Sequence, residues 1–157
     1  MKLADFIVRK AIVPNLQASD RNGAIRELVH TLATAGAIAE DDAEAVARAA
    51  IQRENQGSTG FGKGVAVPHV KHPKVQRIMA TIGRSSGGID FAALDRAPVY
   101  TIVMLLSPPD NPDGHLQAME NIFRHLQRDN FRRFLRQSET AEAIMELIEE
   151  ADQLPAG

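Results

Sequence analysis

The chain has 157 residues, 44% of them hydrophobic and 24% charged, with a net charge of −2 and no cysteine. That length suits one domain with a substantial core, and the near-neutral charge argues against a nucleic-acid-binding surface spread over the molecule. The missing cysteines exclude disulfides, thiolate metal sites and cysteine nucleophiles. The N-terminal run MKLADFIVRKAIVPNL carries charges through its apolar stretch, and no segment reaches membrane-span length. Neither a signal peptide nor membrane insertion is therefore expected, and the cytoplasm is the expected compartment.

Ala11 to Leu16 reads as a short edge strand interrupted by Pro14, which cannot donate to a ladder. A helix follows from Asp20, a suitable N-cap, with Ile25, Leu28, Val29, Leu32 and Ala33 on one face and Gly36 as its stop. His30 lies beside that face and is read as structural. A second helix, from about Glu40 to Asn55, has an acidic first turn and an alanine-rich face, and it delivers Arg53 and Glu54 to a glycine-rich loop.

In that loop Gly57, Gly60, Gly62 and Gly64 are free to take positive φ and to bring backbone amides close to an anion; Ser58 and Thr59 offer hydroxyls that turn formation explains equally well. GSTGFGKG comes within one residue of a nucleotide-binding P-loop. However, Gly64 replaces the magnesium-holding hydroxyl, and the flanking order is helix, loop, strand where a P-loop needs the reverse.

Val65-Ala66-Val67-Pro68 reads as a short buried strand ended by proline, which leaves His69 held at a strand end. Neutral imidazole is a good nucleophile near pH 7. By residue type alone, a loop histidine with no chemistry fits the same position. Lys71, His72 and Lys74 form a basic cluster. His69 and His72 stand in a loop without a carboxylate-rich motif, which points away from metal, although a metal-dependent hydrolase built on His69, His72 and His115 remains the third alternative.

Arg77 to Ser85 reads as a strand and Ser86-Gly87-Gly88 as a turn. VYTIVMLL, from Val99 to Leu106, is the pattern of a central strand buried on both faces. After the loop SPPDNPDG a helix begins with His115, and Leu116, Met119, Ile122, Phe123 and Leu126 form its expected buried stripe. His115 then sits in a first turn, where unpaired amides and the helix dipole favour anions and a neutral ring; a plain surface histidine is the alternative. Arg124, Arg128, Arg132, Arg133 and Arg136 make the next stretch basic, either as a solvated face or as a dock for an acidic partner. Ser138 or Thr140 starts a last helix through Ala143, Ile144, Leu147 and Ile148, and the tail ADQLPAG is expected to fray. Residues 1–157 are thus expected to form a single α/β domain, a mixed sheet of about five strands flanked by helices.

The run E-x6-F-G-x-G-V-A-V-P-H from Glu54 to His69 resembles the signature of the enzyme IIA domain, mannitol/fructose type, of the bacterial phosphoenolpyruvate-dependent phosphotransferase system. The resemblance extends from Ile12 to Ile148 and includes GIDFAALDRAPV and HLQAMENIFRHL. It implies that His69 carries a phosphoryl group, that His115 hydrogen-bonds that group without carrying it, and that Arg53 lies near it, where a guanidinium neutralises phosphoryl oxygens. It implies a donor resembling the phosphocarrier HPr, and an acceptor that is either a IIB-type domain in sugar uptake or a protein controlled in the nitrogen-regulatory branch. IIB of this class uses a cysteine and IIC crosses the membrane, so donor and acceptor are expected in trans. No cofactor is implied. Val70 follows His69 where the family commonly has a small residue, and a β-branched neighbour narrows the approach to the ring.

Overall fold

A computed structural model describes residues 1–154. Its centre is the apolar run foreseen above, here strand β5 (Val99–Ser107), whose side chains alternate between two cores. Ile102, Met104 and Leu106 enter one, while Val103 and Leu105 enter the other, so each face of the strand needs its own layer of helices.

On the first face lie α2 (Arg21–Thr34) and α3 (Ala43–Gln56). Asp20 caps α2 by accepting the Gly23 amide, and the expected stripe from Ile25 to Ala33 is buried. Gly36 takes φ +83° just past the end of α2, a conformation that suits glycine. Ala43, Ala47 and Ala50 are buried, which lets α3 approach closely; one 3₁₀ turn, Glu40–Asp42, precedes it. The opposite face is covered by α1 (Leu3–Phe6), α4 (Pro112–Leu126), α5 (Asp129–Gln137) and α6 (Ala141–Asp152), with Phe6, Ile122, Leu135 and Ile144 in its core. Thr140, one of the two foreseen starts, caps α6 by accepting the Ala143 amide.

The sheet has five strands, as expected, and is mixed. β4 (Met79–Ile89) runs antiparallel to β5, β2 (Val65–Ala66) and β3 (His69–Lys71) run parallel to it on the other side, and β1 (Gly60–Gly62) pairs outside β2. β2 ends before Pro68, as expected, and the ladder resumes at His69 as β3. Val65 pairs with Thr101 and His69 with Leu105, one unbroken register across Pro68, whose carbonyl accepts the Leu105 amide at 2.9 Å. Proline removes a donor but keeps its acceptor, and the ladder needs only the acceptor there.

Other boundaries shift. Ala11 to Leu16 is an edge element as expected, lying along β4, yet it forms one isolated bridge, Val13 with Gly83, instead of a strand, because a 3₁₀ turn at Arg9–Ala11 and Pro14 interrupt it. Ser86-Gly87-Gly88 is not a turn: β4 continues to Ile89 through an irregularity, and Gly88 takes φ +83° where a Cβ would stand 2.8 Å from that of Pro98. The tail does not fray at Ala151 and Asp152, which belong to α6. The Asp152 carboxylate accepts the Leu3 and Ala4 amides, both at 2.9 Å, and so caps α1, a helix that sequence reading missed. The last three residues of the expected tail fall outside the described residues.

Candidate functional site

Strand alternation decides where His69 points. Val65, Val67 and His69 share one face of the β2–β3 run, and Val65 and Val67 are buried in the core beneath α4, so His69 faces the same helix. Asn111 caps α4, its side chain accepting the Gly114 amide, and the first turn lies against Ile78. A Cβ at Gly114 would stand 2.6 Å from both Asn111 Nδ2 and Ile78 Cδ1, so glycine is what lets that turn come so close. The following residue is His115.

The two expected histidines therefore meet, with ring centroids 5.7 Å apart and planes inclined by 50°. Each ring is tied back through Nδ1. His69 Nδ1 lies 2.7 Å from the Val67 carbonyl; a carbonyl only accepts, so Nδ1 holds the proton and Nε2 keeps a lone pair. His115 Nδ1 lies 2.7 Å from Ser107 Oγ. The pair opens into a groove of about 860 Å³, bordered by Arg53, Lys71 and Arg124 and by the side chains of Leu116, Met119 and Phe123. Arg53, the third expected site residue, reaches the groove while donating to the Gly57 carbonyl at 3.1 Å. Val70 contributes to the wall beside His69 and packs partly on the α2–α3 core.

Burial pushes the His69 pKa below the ordinary 6.5; the Val67 carbonyl opposes the shift, and the Arg53 charge adds to it. His115 is pushed down to about 4, by burial first and then by the charges of His69 and Lys71. Both rings stay neutral where a free histidine begins to charge. The consequence for stability has a definite sign: the unfolded chain takes up a proton that the folded site refuses, so stability falls as pH drops from 6.5 toward about 4 and does not depend on these rings above that window. Urea denaturation across that range should show a shallower loss in His115→Ala than in the wild type.

The glycine loop does something other than what its sequence suggested. Its hydroxyls and at least two of its amides are spent inside the protein: the Thr59 amide and hydroxyl donate to Glu54 at 2.6 and 2.8 Å, the Ser58 hydroxyl to the Phe91 carbonyl, and the Lys63 amide to Asp95. None of the four glycines borders the groove. Gly62 and Gly64 take positive φ in the β1–β2 hairpin, and Gly60 lies against Ala93. The loop is thus a packed hairpin and not an anion cradle. Glu54, at 2% exposure, holds it to α3. Glu54→Ala leaves the Thr59 amide and hydroxyl buried without an acceptor, which should lower the unfolding free energy by about 2–3 kcal/mol in urea.

The helix-end argument for His115 also needs correction. Its amide donates to the Asn111 carbonyl at 3.1 Å and the Gly114 amide to the Asn111 side chain, so ring placement and not unpaired amides puts His115 at the site. Nor is it a surface residue, being 8% exposed. Leu116, placed on the buried stripe by periodicity, is 59% exposed at the groove rim; besides His115, the buried residues of α4 are Ala118, Asn121, Ile122, His125 and Leu126. Sequence reading missed Ser107 and His125. Ser107 lies eight residues before His115 across an irregular loop, and no periodicity links the two.

His72 Nδ1 accepts the Lys74 amide, and His30 lies 3.6 Å from Glu44 between α2 and α3. Among the described residues no group of three or more His, Asp or Glu side chains is placed to hold a metal ion. The arginines beyond α4 are largely engaged by the protein itself. Arg132 donates to the Leu126 carbonyl and pairs with Asp129, Arg136 lies over the Tyr100 ring, and Arg133 donates to Asn130.

Residues 5–151 match the family described as phosphoenolpyruvate-dependent sugar phosphotransferase system, EIIA 2. The chain belongs to this family. It is 34% identical over 148 residues to a nitrogen regulatory protein of Bradyrhizobium diazoefficiens, covering 94% of this chain and 95% of that one. It is also 31% identical over 153 residues to the fructose-specific EIIABC component of Bacillus subtilis; there the match takes in 98% of this chain but spans only 24% of the relative. The fold is similar to that of nitrogen regulatory protein IIA-Ntr from Neisseria meningitidis, with a TM-score of 0.82 and 24% identity over 93% of this chain and 98% of that one. Both branches of the EIIA 2 family, sugar-specific and nitrogen-regulatory, are thus represented among the relatives, as the resemblance implied. No helix among the described residues is long and apolar enough to cross a membrane.

Proposed function

We propose that this EIIA-type protein is a cytoplasmic phosphoryl carrier whose phosphohistidine forms at His69 Nε2. The observation that carries this reading is the facing pair of rings, each anchored through Nδ1, so that both Nε2 edges are left for the groove. The Nε2 lone pair attacks the phosphorus of a phosphohistidine on an HPr-like donor. A new N–P bond forms as the donor's N–P bond breaks, and that electron pair returns to the donor's imidazole. His115 donates a hydrogen bond to the phosphoryl oxygens, and Arg53 supplies compensating charge. Positioning and charge do most of the catalysis, and the step requires no nucleotide, metal or organic cofactor.

The acceptor in sugar uptake is a IIB-type domain, a reading supported by the fructose-specific relative. A second reading has a specific observation behind it: the match to a nitrogen regulatory protein extends over 95% of that relative. In that role the phosphorylation state of His69 selects which partner binds.

The test is incubation with phosphoenolpyruvate, enzyme I and HPr. An acid-labile mass gain of one phosphate is expected, and no gain would overturn the proposal. Onward movement of the label to a IIB domain supports transport, and retention together with altered partner binding supports regulation.

A further inference from the structure

Ser107 closes β5 and is fully buried. Its backbone is fixed from both sides, since it pairs with Lys71 and its carbonyl accepts the His72 amide at 3.0 Å. Its hydroxyl has one recorded polar partner among the described residues, His115 Nδ1 at 2.7 Å. A buried hydroxyl needs an acceptor for its proton. If Nδ1 carried the ring's proton, two donors would share one hydrogen bond, and the serine proton would have no acceptor. The contact is satisfied on both sides only when Ser107 donates and Nδ1 keeps its lone pair.

We infer that Ser107 is a positioning residue that fixes His115 in its Nε2–H tautomer and so aims an N–H donor at the space in front of His69. The two rings then carry opposite tautomers, set by opposite partners. A carbonyl acceptor behind His69 leaves a lone pair at its Nε2, and a hydroxyl donor behind His115 leaves a proton at its Nε2. One ring is prepared to receive phosphorus and the other to hold its oxygens. The use made of this arrangement rests on His69 being the phosphoryl carrier, whereas the tautomer does not.

The experiment is long-range ¹H–¹⁵N correlation of the imidazole rings in the full chain at neutral pH. His115 should show a pyridine-type Nδ1 and a pyrrole-type Nε2, with the reverse at His69. In Ser107→Ala the His115 signals should become those of a tautomer mixture while His69 keeps its pattern, which serves as the control for folding. Ser107→Thr, which retains the hydroxyl, should restore the wild-type pattern. Onward phosphoryl transfer in Ser107→Ala should slow about tenfold, as expected for loss of a group that orients a donor.

A pyrrole-type Nδ1 at His115 in the wild type overturns the inference, as does an unchanged His115 pattern in Ser107→Ala with His69 intact. If Ser107→Ala loses the His69 pattern too, the wild-type and Ser107→Thr spectra decide the question. The expected tautomers in a protein that accepts no phosphate would sink the carrier function and leave the role of Ser107 standing.

Discussion

Replacement of His69 by alanine is expected to abolish phosphate uptake entirely, with no mass gain after prolonged incubation with phosphoenolpyruvate, enzyme I and HPr. The chain has five histidines, and none of the other four presents a free lone pair to the groove. His115 is nearest, but in the tautomer inferred for it the lone pair faces Ser107. His125 is buried with Nδ1 at the Asn121 carbonyl and Nε2 at Asp152. His30 and His72 do not border the groove, and each makes a contact elsewhere. The fold should survive, because His69 joins the sheet through its backbone and is only partly buried, so a change in unfolding free energy of about 1 kcal/mol or less is expected. Mass spectrometry under alkaline conditions reads the uptake, and a retained gain in the variant would place the carrier elsewhere.

His115→Ala should separate endpoint from rate. The variant keeps His69, the proposed nucleophile, and its Val67 contact, so it is expected to become phosphorylated given time. On the proposed mechanism it loses an N–H donor aimed at charge that builds on the phosphoryl oxygens during transfer. Loss of one such donor slows a reaction by about 10²–10³-fold, or roughly 3–4 kcal/mol in the barrier. Quenched-flow measurement of onward transfer should show that loss, and His115→Asn, which supplies another N–H donor, should recover part of it. Normal transfer in His115→Ala would remove the role assigned to the second ring.

The residues that make the fold were legible where one local rule acts alone. VYTIVMLL could only be a strand covered on both faces, and the Asp20 cap and α2 stripe follow from helix periodicity. Reading failed where a distant partner decides. Gly60 and Gly62 are small because of Ala93 and Asp95, some thirty residues away, and nothing local separates that from an anion loop. Leu116 fits a helical stripe in sequence, yet it lies exposed on the border of the groove. The histidine pair and Arg53 came from the family pattern, while the groups that orient them, Val67 through its carbonyl and Ser107 through its hydroxyl, follow only from coordinates.

The clasp between α1 and α6 bears on how the molecule comes apart. Asp152 holds the amides of Leu3 and Ala4 while also meeting His125, and Asn121 donates to the Met1 carbonyl, so three separate stretches of chain converge on one carboxylate and its surroundings. Opening that knot strands a charged group in an apolar layer, which couples the loosening of either extremity to the helix that bears His115. Amide exchange in α1 and α6 should then proceed in step, as a single cooperative unit and not as independent peeling.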